Sequence, residues 1–400
     1  MVMEELLKKM LGRSESMFAQ DISAHRNTVQ QSVAGSRILV IGAAGSIGNA
    51  FVKQLIPYRP HALHLVDISE NNLVELVRDL RSSMLVLPKD FKTYPVAMGS
   101  EEFEKLLQHQ KVYDYVVNFS AMKHVRSEKD PFSLMRMYNT NVFFVKKLLD
   151  ALEGSDIRKF FSVSSDKAAN PASIMGATKT FMERILLAYA ERIPFSTARF
   201  ANVAFSDGSL LHGFLRRLEK RQPFSAPHDV KRYFISHEES GQLCILSCFL
   251  GENRDIFFPK LNEDWDLRTF SEIAVMILEA HGFRPYLCNS EQEAKERAAR
   301  MKSGARDWPC YFFESDTTGE KPVEEFFTDL DQVDLARYRN IGVISQPPWK
   351  DRDQIDRALT AFEKIRRKSL WRKEDMVEAI RIIVPELEHE EKGRNLDQKM

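Results

Sequence analysis

The chain has 400 residues, enough for two or three domains at roughly 150 residues each. Apolar residues make up 44% and charged residues 28%, which excludes a wholly disordered or collagen-like chain. Lys plus Arg and Asp plus Glu both number 57, and this balance gives no reason to expect a nucleic-acid partner.

Residues 1–35 are polar and predict an N-terminal helical segment. Its opening, MVMEELLKKMLGRSES, is charged and lacks a signal-peptide core. Residues 37–41 (Arg-Ile-Leu-Val-Ile) are a β-branched run that predicts a buried strand. A glycine turn and a helix to residue 55 follow. Residues 64–66 predict a second strand, 71–80 a helix, 94–98 a weaker strand and 115–119 a stronger one. Residues 131–152 predict one long helix, with Pro131 suited to its first turn. Strands at 159–163 and 195–200 flank a helix at 176–190. This alternation predicts an α/β fold, a Rossmann-type doubly wound parallel sheet covered on both faces.

After residue 201 the alternation loosens into short helices and turns. Residues 290–307 are charged and predict an exposed helix or loop. Residues 351–400 hold 12 basic and 12 acidic residues. The spacing of Ile355, Leu359, Phe362 and Ile365, and of Met376, Ile380 and Ile383, predicts two amphipathic helices packed on the body or on a partner subunit. Mixed charge speaks against a membrane-surface role. No apolar run approaches the roughly 18 residues of a membrane helix, so no membrane span is expected. Four cysteines (Cys244, Cys248, Cys288, Cys310) cannot form a disulfide framework and read as buried thiols of a cytoplasmic protein. Cys244 and Cys248 could share a helix face, but no His or second Cys pair accompanies them, so no metal site is expected.

Gly42-Ala-Ala-Gly45-Ser46-Ile47-Gly48 lies between the first strand and a helix. Glycines there allow a tight turn and close backbone approach to a pyrophosphate seated on the helix N-terminus. Asp67 ends the second strand, nineteen residues past Gly48. A carboxylate at that place accepts from ribose hydroxyls and repels a 2′-phosphate, which favours NAD over NADP. Residues 36–204 then read as the NAD-binding domain, 205–345 as a smaller α/β substrate-binding lobe from which the main sheet can borrow strands, and 346–400 as a charged helical tail.

The stretch Ser164-Ser165-Asp166-Lys167-Ala-Ala-Asn170 follows a strand, and Met175-Gly-Ala-Thr-Lys179 opens the next helix. Side chains at a strand's carboxyl end face the cofactor cleft. Asp166 and Lys167 there supply an acid and a base side by side.

These motifs resemble, in order across residues 35–330, the UDP-N-acetylglucosamine 4,6-dehydratases, the polysaccharide-biosynthesis branch of the extended short-chain dehydrogenases/reductases. The resemblance is carried by GAAGSIG, Asp67-Ile-Ser-Glu70, Ser120-Ala121-Met-Lys123-His124-Val, SSDKAANPASIMGATK, Arg199-Phe-Ala-Asn202-Val, Lys231-Arg232-Tyr233-Phe234 and Gly319-Glu320-Lys321. Ser165 stands where Thr is usual, and Met98-Gly99 replaces an acidic residue that often touches adenine. The usual catalytic Tyr is Met175, a substitution that occurs within this branch. The resemblance implies that Ser120 and Ala121 line the cofactor and that Lys179 holds its ribose. It implies Lys167 as base at the sugar C5, Asp166 as acid for the C6 hydroxyl and Ser165 as donor to the C4 oxygen. It implies NAD, a nucleotide-sugar substrate, a homo-oligomer, and a place for Asn141 as a helix-bending residue. For the diphosphate of such a substrate Arg232 is the first candidate, because a guanidinium forks onto phosphate oxygens, with Asn202 and Lys123 next, and His124 either lines the cleft or is structural. A UDP-sugar epimerase, a dehydratase that also inverts C5, and a non-catalytic dinucleotide-binding protein are the alternatives.

Overall fold

The computed structural model describes residues 2–110, 113–315, 321 and 323–389. A nine-stranded sheet runs through the described residues in the order Val333–Asp334, Ile341–Ser345, Asp255–Pro259, Phe195–Ala198, Lys159–Val163, Tyr115–Asn118, Arg37–Ile41, Ala62–Val66, Asp90–Tyr94. All neighbours from Asp90–Tyr94 to Asp255–Pro259 pair in parallel; Ile341–Ser345 runs against them, and Val333–Asp334 pairs antiparallel with it. Strand order reverses beside Arg37–Ile41, which creates a crevice at its carboxyl end.

The sheet is apolar on both faces. Ile38 and Val40 belong to one buried cluster, Leu39 and Ile41 to the other, as side-chain alternation along a strand requires. Three strands of the 205–345 region, Asp255–Pro259, Val333–Asp334 and Ile341–Ser345, belong to this main sheet. The rest of that region, together with the strand Asn202–Val203, forms two three-stranded sheets, and a third cluster contains Phe214, Phe224 and Trp308.

Two expectations need correction. The weak strand is Asp90–Tyr94, not 94–98. It is a half-exposed edge strand with a faint apolar signal, and Pro95, which lacks an N–H, follows its last residue. The helix over 131–152 is not uniform. Pro131–Tyr138 and Phe144–Leu152 are joined by a π-turn, Asn139–Phe143.

The N-terminal segment is two helices, Val2–Leu11 and Ala19–Val33. The tail also forms two, Arg352–Arg366 and Lys373–Arg381. Ile355, Phe362, Ile365, Met376, Ile380 and Ile383 all enter the second cluster, and Leu359 packs against it. The apolar stripes of the tail are therefore buried on the chain's own body. All four cysteines are free and buried, and no group of three metal-ligating side chains exists among the described residues.

Candidate active site

The glycine loop is built at the reversal of strand order. Gly42 has φ +72°, and a Cβ on it would fall 2.7 Å from the Ser120 nitrogen. A Cβ on Gly48 would fall 2.2 Å from the Gly42 carbonyl oxygen, so only glycine lets the helix start this close to the turn. Gly45 is the N-cap of Ser46–Leu55, whose first N–H groups point out of the turn. The Asp67 carboxylate accepts from the Ala44 N–H at 2.9 Å and from the Ser69 N–H at 2.9 Å, which fixes it beside the loop. Ser46 Oγ accepts from the Asp207 N–H at 3.0 Å, and Ile47 packs against the first cluster. Ser120, whose N–H donates to Asn118 Oδ1 at 3.0 Å, lies directly against Gly42, and Ala121 follows it. A backbone cradle that a Cβ would fill, at a helix N-terminus, fits a dinucleotide pyrophosphate.

Two strands away, Lys159–Val163 delivers the acid–base turn. Ser165 caps a one-turn helix, Asp166–Ala168. Three donors converge on Asp166 Oδ1: Ser165 Oγ at 2.8 Å, the Lys167 N–H at 2.8 Å and Lys167 Nζ at 3.1 Å. Asp166 is buried and Lys167 half-buried. Lys167 Nζ also meets Glu324 Oε1 at 3.3 Å. Burial opposes the Lys167 charge, yet the Asp166 and Glu324 carboxylates outweigh it and Arg232, and hold the amine above the ordinary lysine range.

Met175 and Lys179 sit in the first turns of Ile174–Tyr189, both buried. The Met175 N–H donates to Glu128 Oε1 at 2.8 Å. Lys179 Nζ donates to the Val163 carbonyl at 2.9 Å, at the end of the strand that leads to the acid–base turn. Burial pulls its pKa down to about 8 against the pull of Glu183. Asn141, inside the π-turn, accepts from the Met122 N–H at 2.8 Å and donates to the Met122 carbonyl and to Thr178 Oγ1, both at 2.9 Å. One amide thus ties the loop carrying Ser120 and Lys123 to the helix carrying Met175 and Lys179.

Of the substrate-side candidates, Arg232 joins the acid–base turn. It is buried on Lys231–Ile235, donates to the Lys321 carbonyl at 2.9 Å, and its NH2 lies 3.7 Å from Glu324 Oε1. Asn202 donates to the Tyr233 carbonyl at 3.3 Å on the same small sheet. Lys123 and His124 are exposed on a different loop, where a Cβ on Gly208 would lie 2.9 Å from His124 Nε2. Gly319 and Glu320 lie outside the described residues. Glu324 escaped sequence reasoning, since its partners are more than ninety residues away; its one local signal is its place three residues after Lys321.

Parallel strands in this order, a glycine cradle at the reversal, and a lysine one helical turn past Met175 define the extended short-chain dehydrogenase/reductase class. More narrowly, the profile of the polysaccharide biosynthesis protein family matches residues 38–345, and the chain belongs to that family. An uncharacterised membrane protein of Methanocaldococcus jannaschii is 31% identical, over 62% of this chain and 73% of its own length. The probable polysaccharide biosynthesis protein EpsC of Bacillus subtilis is 29% identical over 60% of this chain, which spans only 40% of that relative. A Campylobacter jejuni UDP-N-acetylglucosamine 4,6-dehydratase (inverting) is 26% identical, over 57% of this chain and 67% of its own. Among solved structures, Pen from Bacillus thuringiensis superposes with a TM-score of 0.63 at 21% identity, covering 79% of this chain and 90% of its own. The dTDP-glucose 4,6-dehydratase DesIV of Streptomyces venezuelae, solved with NAD, gives 0.54 at 17% identity, covering 72% and 87%. No helix among the described residues is long and apolar enough to cross a membrane.

Proposed function

We propose that the protein is an NAD-dependent nucleotide-sugar 4,6-dehydratase that converts UDP-N-acetylglucosamine to the 4-keto-6-deoxy sugar nucleotide. The observation that carries this reading is the Asp166–Lys167 pair, Nζ to Oδ1 3.1 Å, at a strand's carboxyl end in a helix–turn context that has Met175 for the usual Tyr. The glycine loop and Asp67 would hold NAD, which would supply reversible hydride transfer between C4 and C6. The chain's residues manage the protons. The 4-ketone acidifies the C5 proton, and the neutral Lys167 amine takes it. Asp166 takes the C4 hydroxyl proton as the ketone forms and gives it to the C6 hydroxyl, which departs as water across C5–C6, and the Lys167 ammonium returns its proton to C5 as hydride reaches C6. Ser165 donates to the C4 oxygen, and Lys179 positions the ribose and offers positive charge to oxygen as it becomes anionic. Arg232 takes the diphosphate, with Asn202 and Lys123 beside the nucleotide sugar.

Incubation with UDP-N-acetylglucosamine should give a product lighter by one water, read by mass spectrometry. Unchanged mass with an altered NMR spectrum would indicate an epimerase instead. Tight NAD binding without product from any nucleotide sugar would leave a binding protein. Lys167→Ala should abolish turnover, falling by about 100-fold or more, while NAD still binds; near-normal turnover would remove Lys167 from its role.

A further inference from the structure

Glu324 is a buried carboxylate, 5% exposed, with one oxygen between two cations: Lys167 Nζ at 3.3 Å and Arg232 NH2 at 3.7 Å. Its position is built. The Arg199 guanidinium, locked on Glu183 at 2.7 Å, donates to the Phe326 carbonyl at 2.8 Å, and the Phe326 ring packs on Tyr233 and Phe258. The segment carrying Glu324 is thus pinned from the strand end that flanks the acid–base turn. A buried carboxylate beside a lysine stabilises the ammonium, whereas a base at C5 must be the free amine. The same carboxylate also sits where an incoming diphosphate, drawn to Arg232, would meet like charge.

We propose that Glu324 is a positioning residue that tethers the Lys167 ammonium in the resting enzyme and loosens its hold when a nucleoside diphosphate arrives at Arg232. Nucleotide binding then readies the base. The idea deepens the dehydratase reading and rests on it for its kinetic consequences. Among the described residues, the charged groups facing Lys167 are Asp166 on its own turn, Glu324 on the pinned segment and Arg232 on the small sheet. Of these, Glu324 alone contacts both cations.

The test uses Glu324→Gln, which keeps the shape and the hydrogen-bond acceptor but removes the charge, with Glu324→Asp as the charge-retaining control. The profile of kcat/KM against pH reports the free enzyme, and that of kcat the substrate complex. Activity needs neutral Lys167, so kcat/KM rises with pH as the amine loses its proton. In Glu324→Gln this rising limb should move to lower pH by about one unit, and the limb of kcat should move less. Glu324→Asp should stay near the wild-type limb. A purely packing role would lower the plateau or the melting temperature and leave the limb in place; an unmoved kcat/KM limb overturns the proposal. The second arm needs no turnover. By calorimetry, Glu324→Gln should bind UDP about fivefold tighter or more, because a like charge has left the diphosphate site. Equal or weaker UDP binding overturns the link to Arg232. If the wild-type enzyme dehydrates no nucleotide sugar, the parent reading fails, and the UDP measurement still decides whether Glu324 opposes the diphosphate.

Discussion

At the scale of single residues, the site is defined by what each atom leaves no room for. Gly48 has no space for a Cβ, since the Gly42 carbonyl oxygen would be 2.2 Å away and belongs to the backbone. Gly48→Ala should therefore weaken NAD binding by about tenfold or more, because the turn must open where the pyrophosphate rests; a fluorescence titration with NADH measures it. Lys179 makes a second prediction through its charge. Its folded pKa, about 8, lies below the 10.5 of a free lysine, so the native state bears the cost of a buried ammonium below pH 8. Between pH 8 and 10.5 the unfolded chain binds more protons, and stability contributed by this residue rises with pH. The unfolding free energy of the wild type, relative to Lys179→Met, should climb by up to about 3 kcal/mol from pH 7 to pH 10.5, measured by denaturant melts. The glycines, Asp67 and the Asp166–Lys167 pair could be read from the sequence because each sits beside a strand end that its own neighbours announce. Glu324 could not, because the fold alone brings it to Lys167 and Arg232.

Elements show the same division between local and distant causes. The strand Arg37–Ile41 was legible because every residue after Arg37 is buried and apolar. Asp90–Tyr94 was misplaced because an edge strand buried on neither face carries little hydrophobic pattern. Periodicity cannot report one inserted residue in a helix, so the π-turn Asn139–Phe143 was invisible except through Asn141. That amide satisfies both backbone groups of Met122 and reaches Thr178. Asn141→Leu would leave the part-buried N–H and C=O of Met122 without these partners. The expected loss is about 2–4 kcal/mol of unfolding free energy in urea, with hydrogen exchange quickening first in the loop 120–124. A loss confined to a few tenths would mean that the π-turn forms without its amide.

Across the whole molecule, the terminal segments act as internal partners. Arg13 bridges Glu239 at 2.7 Å and Asp266 at 3.3 Å, which joins the N-terminal segment to both the main helix layer and the smaller lobe. The tail does more. Phe362 stacks on Tyr138 with ring centroids 3.5 Å apart, and the Arg366 guanidinium lies 4.1 Å over the Phe143 ring. Farther on, the Glu388 N–H donates to the Pro171 carbonyl at 3.1 Å, in the loop between the acid–base turn and the helix of Met175. The apolar stripes that the sequence offered to either the body or a partner are buried within one chain, so any self-association must use other surfaces. Phe362→Ala should cost about 3–5 kcal/mol, as expected for a large ring removed from a closed core. Deleting residues 346–400 strips the helices Pro131–Tyr138 and Ile174–Tyr189 of their cover and exposes Tyr138 and its neighbours. The shortened chain should bind a hydrophobic dye and associate, as read by light scattering on a sizing column, and turnover should fall because the Pro171 loop loses its anchor. A deletion variant that keeps the wild-type association state and activity would show that the tail merely rests on a face able to stand in water alone.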